Sequence, residues 1–197
     1  MNKYEVAIRT KKSFRKGRFD GIFGFFITIG NFMDGHFDSR CHTELDFMDV
    51  NPDPRLGQGS WSAFEGGGKT NAKACSTCPM MAKDDTKDCK GCKALDKSCV
   101  GFSAVDYNKG KWETQIIDVR DERLPKRWGD KEELRKACIN DKIKGYDITG
   151  CVGQAVQNKD IEDLDKYFCS EAVGEKFNMF DNLSPAQLAE WFKELFK

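Results

Sequence analysis

Four cysteines in two pairs carry the clearest chemistry in this chain. Cys75-Ser-Thr-Cys78 and Cys89-Lys-Gly-Cys92 are separated by ten residues. Each C-x-x-C turn lets two thiolates grip one ion, so two such knuckles complete a tetrahedral zinc site with no open position. The residues between them, Pro79 to Asp88, are polar and have no hydrophobic face. The metal must then supply the local folding energy, which makes the site structural. Cys99, Cys41 and His42 are spare ligands and His36 a weaker one; a histidine in place of a knuckle cysteine would give three cysteines and one histidine. The competing chemistries are a redox-active pair and an iron–sulfur cluster. A thioredoxin-like pair should open a helix after a strand in a βαβ unit, and no such pattern surrounds these residues. Cys138, Cys151 and Cys169 stand singly and read as small buried apolar residues.

The N-terminus holds the second set. Lys3, Arg9, Lys11, Lys12, Arg15, Lys16 and Arg18 face a single acid, Glu5, and are interleaved with Tyr4, Phe14, Phe19, Phe23, Phe25 and Phe26. Cations track phosphates while aromatic faces stack bases at roughly 1–3 kcal/mol each, the combination that holds single-stranded nucleic acid. The candidate contacts are Lys11, Lys12, Arg15, Lys16 and Arg18, with Phe25 and Trp112 as stacking faces. The alternative is that the phenylalanines alternate into a β core and the cations solvate a hairpin. Acids gather at the other end: Asp160, Glu162, Asp163, Asp165, Glu171, Glu175 and Asp181 against Lys166 and Lys176. The formal net charge is zero, so there is no global attraction to nucleic acid or membrane, but the charge is segregated along the chain. Gly66-Gly-Gly-Lys-Thr70 looks like part of a phosphate loop. The Walker pattern requires glycine where this chain has Ala63, and no clear helix follows, so nucleotide hydrolysis is not indicated.

The elements that must position these groups follow from periodicity and turn chemistry. A chain of 197 residues favours one core with an appendage. Met1 to Lys12 contains no run resembling the apolar heart of a secretory signal, so export is not expected, and the apolar run Gly21 to Gly30 is about half the length of a membrane span. An odd cysteine count without an export signal favours metal over disulfides in a reducing compartment. The expected location is the cytoplasm, that of a host cell if the chain is viral; a secreted chain would instead carry disulfides and one free thiol. Tyr4 to Thr10, Ile22 to Ile29 and Thr43 to Val50 read as strands, and Asn51 to Thr70 as a long loop. Val100 to Tyr107 and Trp112 to Val119 flank a turn-like insert and predict a β-hairpin. Asp130 with Glu133 predicts a helix from about Lys131 to Asn140 with Leu134, Ala137 and Cys138 on one face. Gly145 to Gly150 reads as a turn into a strand over Val152 to Gln157. At the C-terminus Ser184 as N-cap, Pro185 at the first helical position, Gln187 closing a capping box and Leu183 stapled to Leu188 start a helix. Its Leu188, Trp191, Phe192, Leu195 and Phe196 form one apolar face, suited to its own core or to a partner. The fold class is mainly β with a few helices (α+β). Residues 1–157 form a β-rich domain with the zinc knuckle at 75–99, and residues 158–197 an acidic segment ending in an amphipathic helix.

From Cys75 onward the order of elements resembles the zinc-containing single-stranded-DNA-binding proteins of bacteriophages: CSTCP and CKGC, a hairpin ending IIDVRDE, a helix, GYDITG, an acidic stretch and LSPAQLAEWFKELF. The resemblance covers roughly the last 120 residues. It implies an OB-like β-barrel with an inserted zinc knuckle, no enzymatic activity, a place in DNA replication or recombination, and an acidic C-terminal part that contacts replication proteins. The N-terminal third has a second likeness. YEVAIR, GIFGFFITIG and Glu44-Leu-Asp46-Phe-Met-Asp49 look like the strand series of glycoside hydrolase family 16, in which a strand written E-x-D-x-x-E carries the catalytic carboxylates. That likeness implies Glu44 as nucleophile, Asp46 as helper and Asp49 as general acid, in a retaining β-glucan hydrolase whose two carboxyls stand about 5–5.5 Å apart. A zinc-stabilised protein-interaction module without nucleic-acid affinity is a third class.

Overall fold

A computed structural model describes residues 2–12, 14–15, 18–19, 28–29, 40–63, 100–103, 112–141, 145–146, 166–167, 169–179 and 183–197. The described chain is an α+β fold built on one five-stranded antiparallel sheet. Its elements are β1 (Glu5–Lys12), β2 (Phe14–Arg15), β3 (Arg18–Phe19), β4 (Arg40–Asp46), β5 (Ser60–Ala63), β6 (Val100–Ser103), β7 (Trp112–Asp118), α1 (Lys131–Ile139), β8 (Gly145–Tyr146), β9 (Lys166–Tyr167), α2 (Cys169–Lys176) and α3 (Pro185–Leu195). The sheet order is β6-β5-β4-β1-β7. Among the described residues its edges, β6 and β7, do not pair with each other, so the sheet is open.

Alternation along β1 assigns the two faces. Val6, Ile8 and Thr10 are buried on the helix side. Across the ladders Val6 stands opposite Ile117, Ile8 opposite Leu45, and Leu45 opposite Trp61, which in turn faces Phe102. Strand side chains directly opposite each other share a face, so these residues form one apolar layer. α2 covers β4 and β5, and α3 covers β4 and β1. Phe177 and Phe192, both without exposed surface, meet edge to face at 5.6 Å and belong to the same core as Trp61 and Phe102. Burying each such side chain contributes about 1.5–3 kcal/mol.

Local chemistry sets the boundaries. β4 stops at Asp46, four residues short of the expected strand end, because the Asp46 carboxylate accepts the Met48 amide at 2.8 Å and Met48 turns to φ 54°. The loop expected from Asn51 to Thr70 instead holds a 3-10 turn, Pro54–Leu56, and the strand β5. Gly59 admits that strand: its φ is 94°, and a Cβ there would stand 2.3 Å from the Ser103 carbonyl oxygen of β6. The hairpin expected from Val100 to Val119 does not form. β6 pairs with β5, whereas β7 pairs with β1 over seven residues at the far edge of the sheet. Thr28 and Ile29 are helical, so no strand reaches Ile29. The strand expected over Val152 to Gln157 lies outside the described residues.

Both predicted helix starts are present. Asp130 accepts the Glu133 amide at 2.9 Å to open α1. The Glu133 carboxylate reaches back to the amide of Gly129 rather than to that of Asp130. α3 has the full reciprocal box between Ser184 and Gln187. No helix among the described residues is long and apolar enough to cross a membrane.

Candidate nucleic-acid interface

The face of the sheet opposite the helices collects polar and aromatic side chains. In the β1 ladders Lys11 stands opposite His42 on one side and Trp112 on the other, while Arg9 stands opposite Glu44 and Thr114. Period-two alternation therefore puts Arg9, Lys11, His42, Glu44, Asp46 and Trp112 on one face. The Arg9 guanidinium lies over the Trp112 ring, 4.6 Å from its centroid, and pairs with Asp46 at 3.2 Å. His42 meets Trp112 edge-on at 6.0 Å, and its Nε2 is 3.2 Å from Glu44 Oε1. The arrangement is an indole with a cation against its face and a lysine directly across the ladder, residue types that nucleic-acid sites use on bases and phosphates.

The ladder slips between Lys11 and Lys12: Lys11 pairs with His42 but Lys12 with Arg40. This bulge turns Arg40 to the helix side, where its Nη1 is 3.4 Å from the Ala186 carbonyl oxygen. Lys12 falls on that side too, with its ammonium 2.5 Å from Glu113. The two neighbouring lysines thus serve opposite faces. Burial pushes the Glu113 carboxyl up, but the Lys12 hydrogen bond and the charges of Arg40, Lys12 and Lys193 outweigh it and hold the group below its ordinary value.

The remaining sequence candidates divide as follows. Arg15 and Arg18 are paired across the two-residue ribbon β2–β3. Lys16, Phe25 and the proposed zinc ligands Cys75, Cys78, Cys89, Cys92 and Cys99 lie outside the described residues. Cys41 and His42 are neighbours on one strand, so their side chains point to opposite faces, Cys41 into the apolar core. Among the described residues no three His, Cys, Asp or Glu side chains converge as a metal site. Cys138 and Cys169 are buried and unbridged, and burial raises the Cys138 thiol.

The carboxylate strand is the central strand of the sheet, not an edge. Glu44 is 1% exposed and lies on the same face of β4 as Asp46, so the face opposite the helices is buried at that point. Asp49 lies beyond the strand end. Its two oxygens accept both Arg135 Nη atoms at 2.8 Å each, and one also accepts the Gly59 amide at 2.9 Å. Burial pushes the Asp49 carboxyl up, yet the Arg135 and Gly59 hydrogen bonds with the Arg135 and Lys131 charges bring it below the usual carboxylate range. A group held as an anion in this way is poorly suited to donate a proton as a general acid.

Sequence reasoning missed Arg9, His42 and Glu113 as parts of the Trp112 neighbourhood. Arg9 was accessible: it sits two residues before Lys11 on an alternating strand and therefore on the same face. Comparison of the chain with protein-family models, curated proteins and solved structures finds no match.

Proposed function

We propose that the protein is a non-enzymatic, zinc-stabilised single-stranded nucleic-acid-binding protein that works in phage-type DNA replication or recombination. The observation that carries this is the cross-strand pair of Lys11 and Trp112, with Arg9 on the indole face. It joins the basic N-terminal arm to an aromatic platform a hundred residues later in the chain. Single strands are gripped by such a platform because every base has a π face to stack and every phosphate a charge to neutralise. In the full proposal the five-stranded sheet is the wall of an OB-like barrel, and the polar segment of the acidic C-terminal region meets a replication protein.

The proposed zinc knuckles fall in the connection between β5 and β6. Residues 64–99 connect β5 to β6, which are antiparallel neighbours joined from Ala63↔Val100 onward. Closing a connection of that length costs entropy, and a metal that clips it together would offset that cost. Cys75, Cys78, Cys89 and Cys92 would hold the ion as thiolates. The bound zinc would supply only structural rigidity.

Anisotropy titration of labelled single-stranded and double-stranded oligonucleotides against Trp112→Ala and Lys11→Ala tests the proposal. Both substitutions should weaken single-strand binding, and only the lysine should flatten its salt dependence.

A further inference from the structure

β7 opens at the edge of the sheet with Trp112 and Glu113, adjacent residues whose side chains point to opposite faces. On the helix side of that edge a cleft of about 350 Å³ opens between β1, β7 and α3. Ile8, Thr10 and Gln115 line it, and Arg40, Glu113 and Lys193 supply its charge. That volume falls within the range of roughly 300–1,000 Å³ typical of ligand pockets.

Among the described residues three cations act on the Glu113 carboxylate. Lys12 and Arg40 approach Glu113 to 2.5 and 3.2 Å, and the Lys193 charge also acts on it. Arg40 is 9% exposed and lies against the Ala186 carbonyl oxygen of α3, so its guanidinium is held in place rather than free to swing into water. Among the described residues the cations of this cleft outnumber its carboxylate, and because Lys12, Glu113 and Lys193 are exposed their attraction for an anion falls with added salt.

We propose that this cleft is a phosphate subsite: a strand with one base stacked on Trp112 crosses the β7 edge and places a phosphate among Lys12, Arg40 and Lys193. Glu113 occupies the subsite as an internal competitor and is displaced when the strand binds. The inference rests on the nucleic-acid function proposed above and adds a path, a second face and a built-in antagonist. Ordinary alternation puts Lys11 and Lys12 on opposite faces of β1, and the register slip opposite them brings Arg40 to the face of Lys12.

The test uses the full-length protein, a fluorescein-labelled oligothymidylate read by anisotropy at two salt concentrations, and inorganic phosphate titrated separately. Glu113→Gln should tighten oligonucleotide binding roughly fivefold at low salt and steepen the slope of log K against log salt by about 0.7. Lys193→Ala should weaken binding roughly threefold and flatten the slope. Glu113 and Lys193 are both solvent-exposed, and matching thermal melts would show that the fold is kept. If the parent binds and both variants bind as it does, the subsite is overturned while the nucleic-acid function stands. If no oligonucleotide binds but Glu113→Gln takes up phosphate more tightly than the parent, the cleft serves free phosphate, and both the strand path and the nucleic-acid function are overturned.

Discussion

Asp49 and Arg135, 86 residues apart, meet in a two-bond ion pair with 2.8 Å at each contact. The guanidinium also donates to the Gly57 carbonyl oxygen at 2.6 Å and lies over the Phe47 ring at 4.4 Å. Arg135 is 5% exposed, so the pair fastens α1 to the turn between β4 and β5 from inside the fold. Breaking one side of a buried pair strands a charge, at about 3–5 kcal/mol. Arg135→Ala should lower stability by about 3 kcal/mol in chemical denaturation at pH 7. A loss below about 1 kcal/mol would mean that the pair is solvated and incidental.

The same pair sets a pH dependence. The folded-state pKa of Asp49 is depressed, so its stabilisation is fully present above the unfolded value, about 3.9. It is lost as pH falls through the lower folded value. The destabilisation caused by Asp49→Asn should therefore be large at pH 7 and shrink below about pH 3.9. Parallel denaturation curves at pH 7 and pH 3 measure it; a penalty that grows on acidification would contradict the assignment.

α3 was the most legible element because its signals are local. Ser184, Pro185 and Gln187 start a helix wherever they stand, and the Leu188 and Phe192 spacing gives the buried face. β5 was hidden because Ser60-Trp-Ser-Ala63 is four residues long and sits among glycines. The split of the supposed hairpin was hidden for another reason: pairing between β7 and β1 depends on register across a hundred residues, and no local pattern encodes that. The neighbourhood of Trp112 was invisible for the same reason. The basic arm and the tryptophan could each be picked out, but their adjacency is a property of the ladder.

The C-terminal helix belongs to the core, and this changes what its removal should do. Phe192 has no exposed surface and packs on Phe177, Trp191 and Phe196. Phe192→Ala should cost about 3–5 kcal/mol, and Ser184→Ala about 1 kcal/mol through the lost cap. Unfolding followed by circular dichroism should remain a single transition in both. If Phe192→Ala left the main transition unmoved, the helix would be an independent appendage. Deleting residues 158–197 removes α2 and α3 together, so a change in binding by that truncation would report unfolding before charge.

Zinc can be tested by thiol counting. The native protein should hold about one zinc per chain. Chelation should expose the thiols of Cys75, Cys78, Cys89 and Cys92 to a chromogenic reagent, whereas Cys41, Cys138 and Cys169, buried in the fold, should react only in denaturant. Metal-free protein with the four knuckle cysteines already oxidised would contradict the knuckle.

The most direct measurement is the affinity of the full-length protein for an oligothymidylate and for a duplex of equal length, each at two salt concentrations. The single strand should bind more tightly, with log K falling against log salt at about −0.7 per phosphate neutralised. Trp112→Ala should weaken that binding without changing the slope, because stacking releases no counterions. Equal affinity for the two forms, or an affinity indifferent to both salt and Trp112, would contradict single-strand binding at the Trp112 end of the sheet.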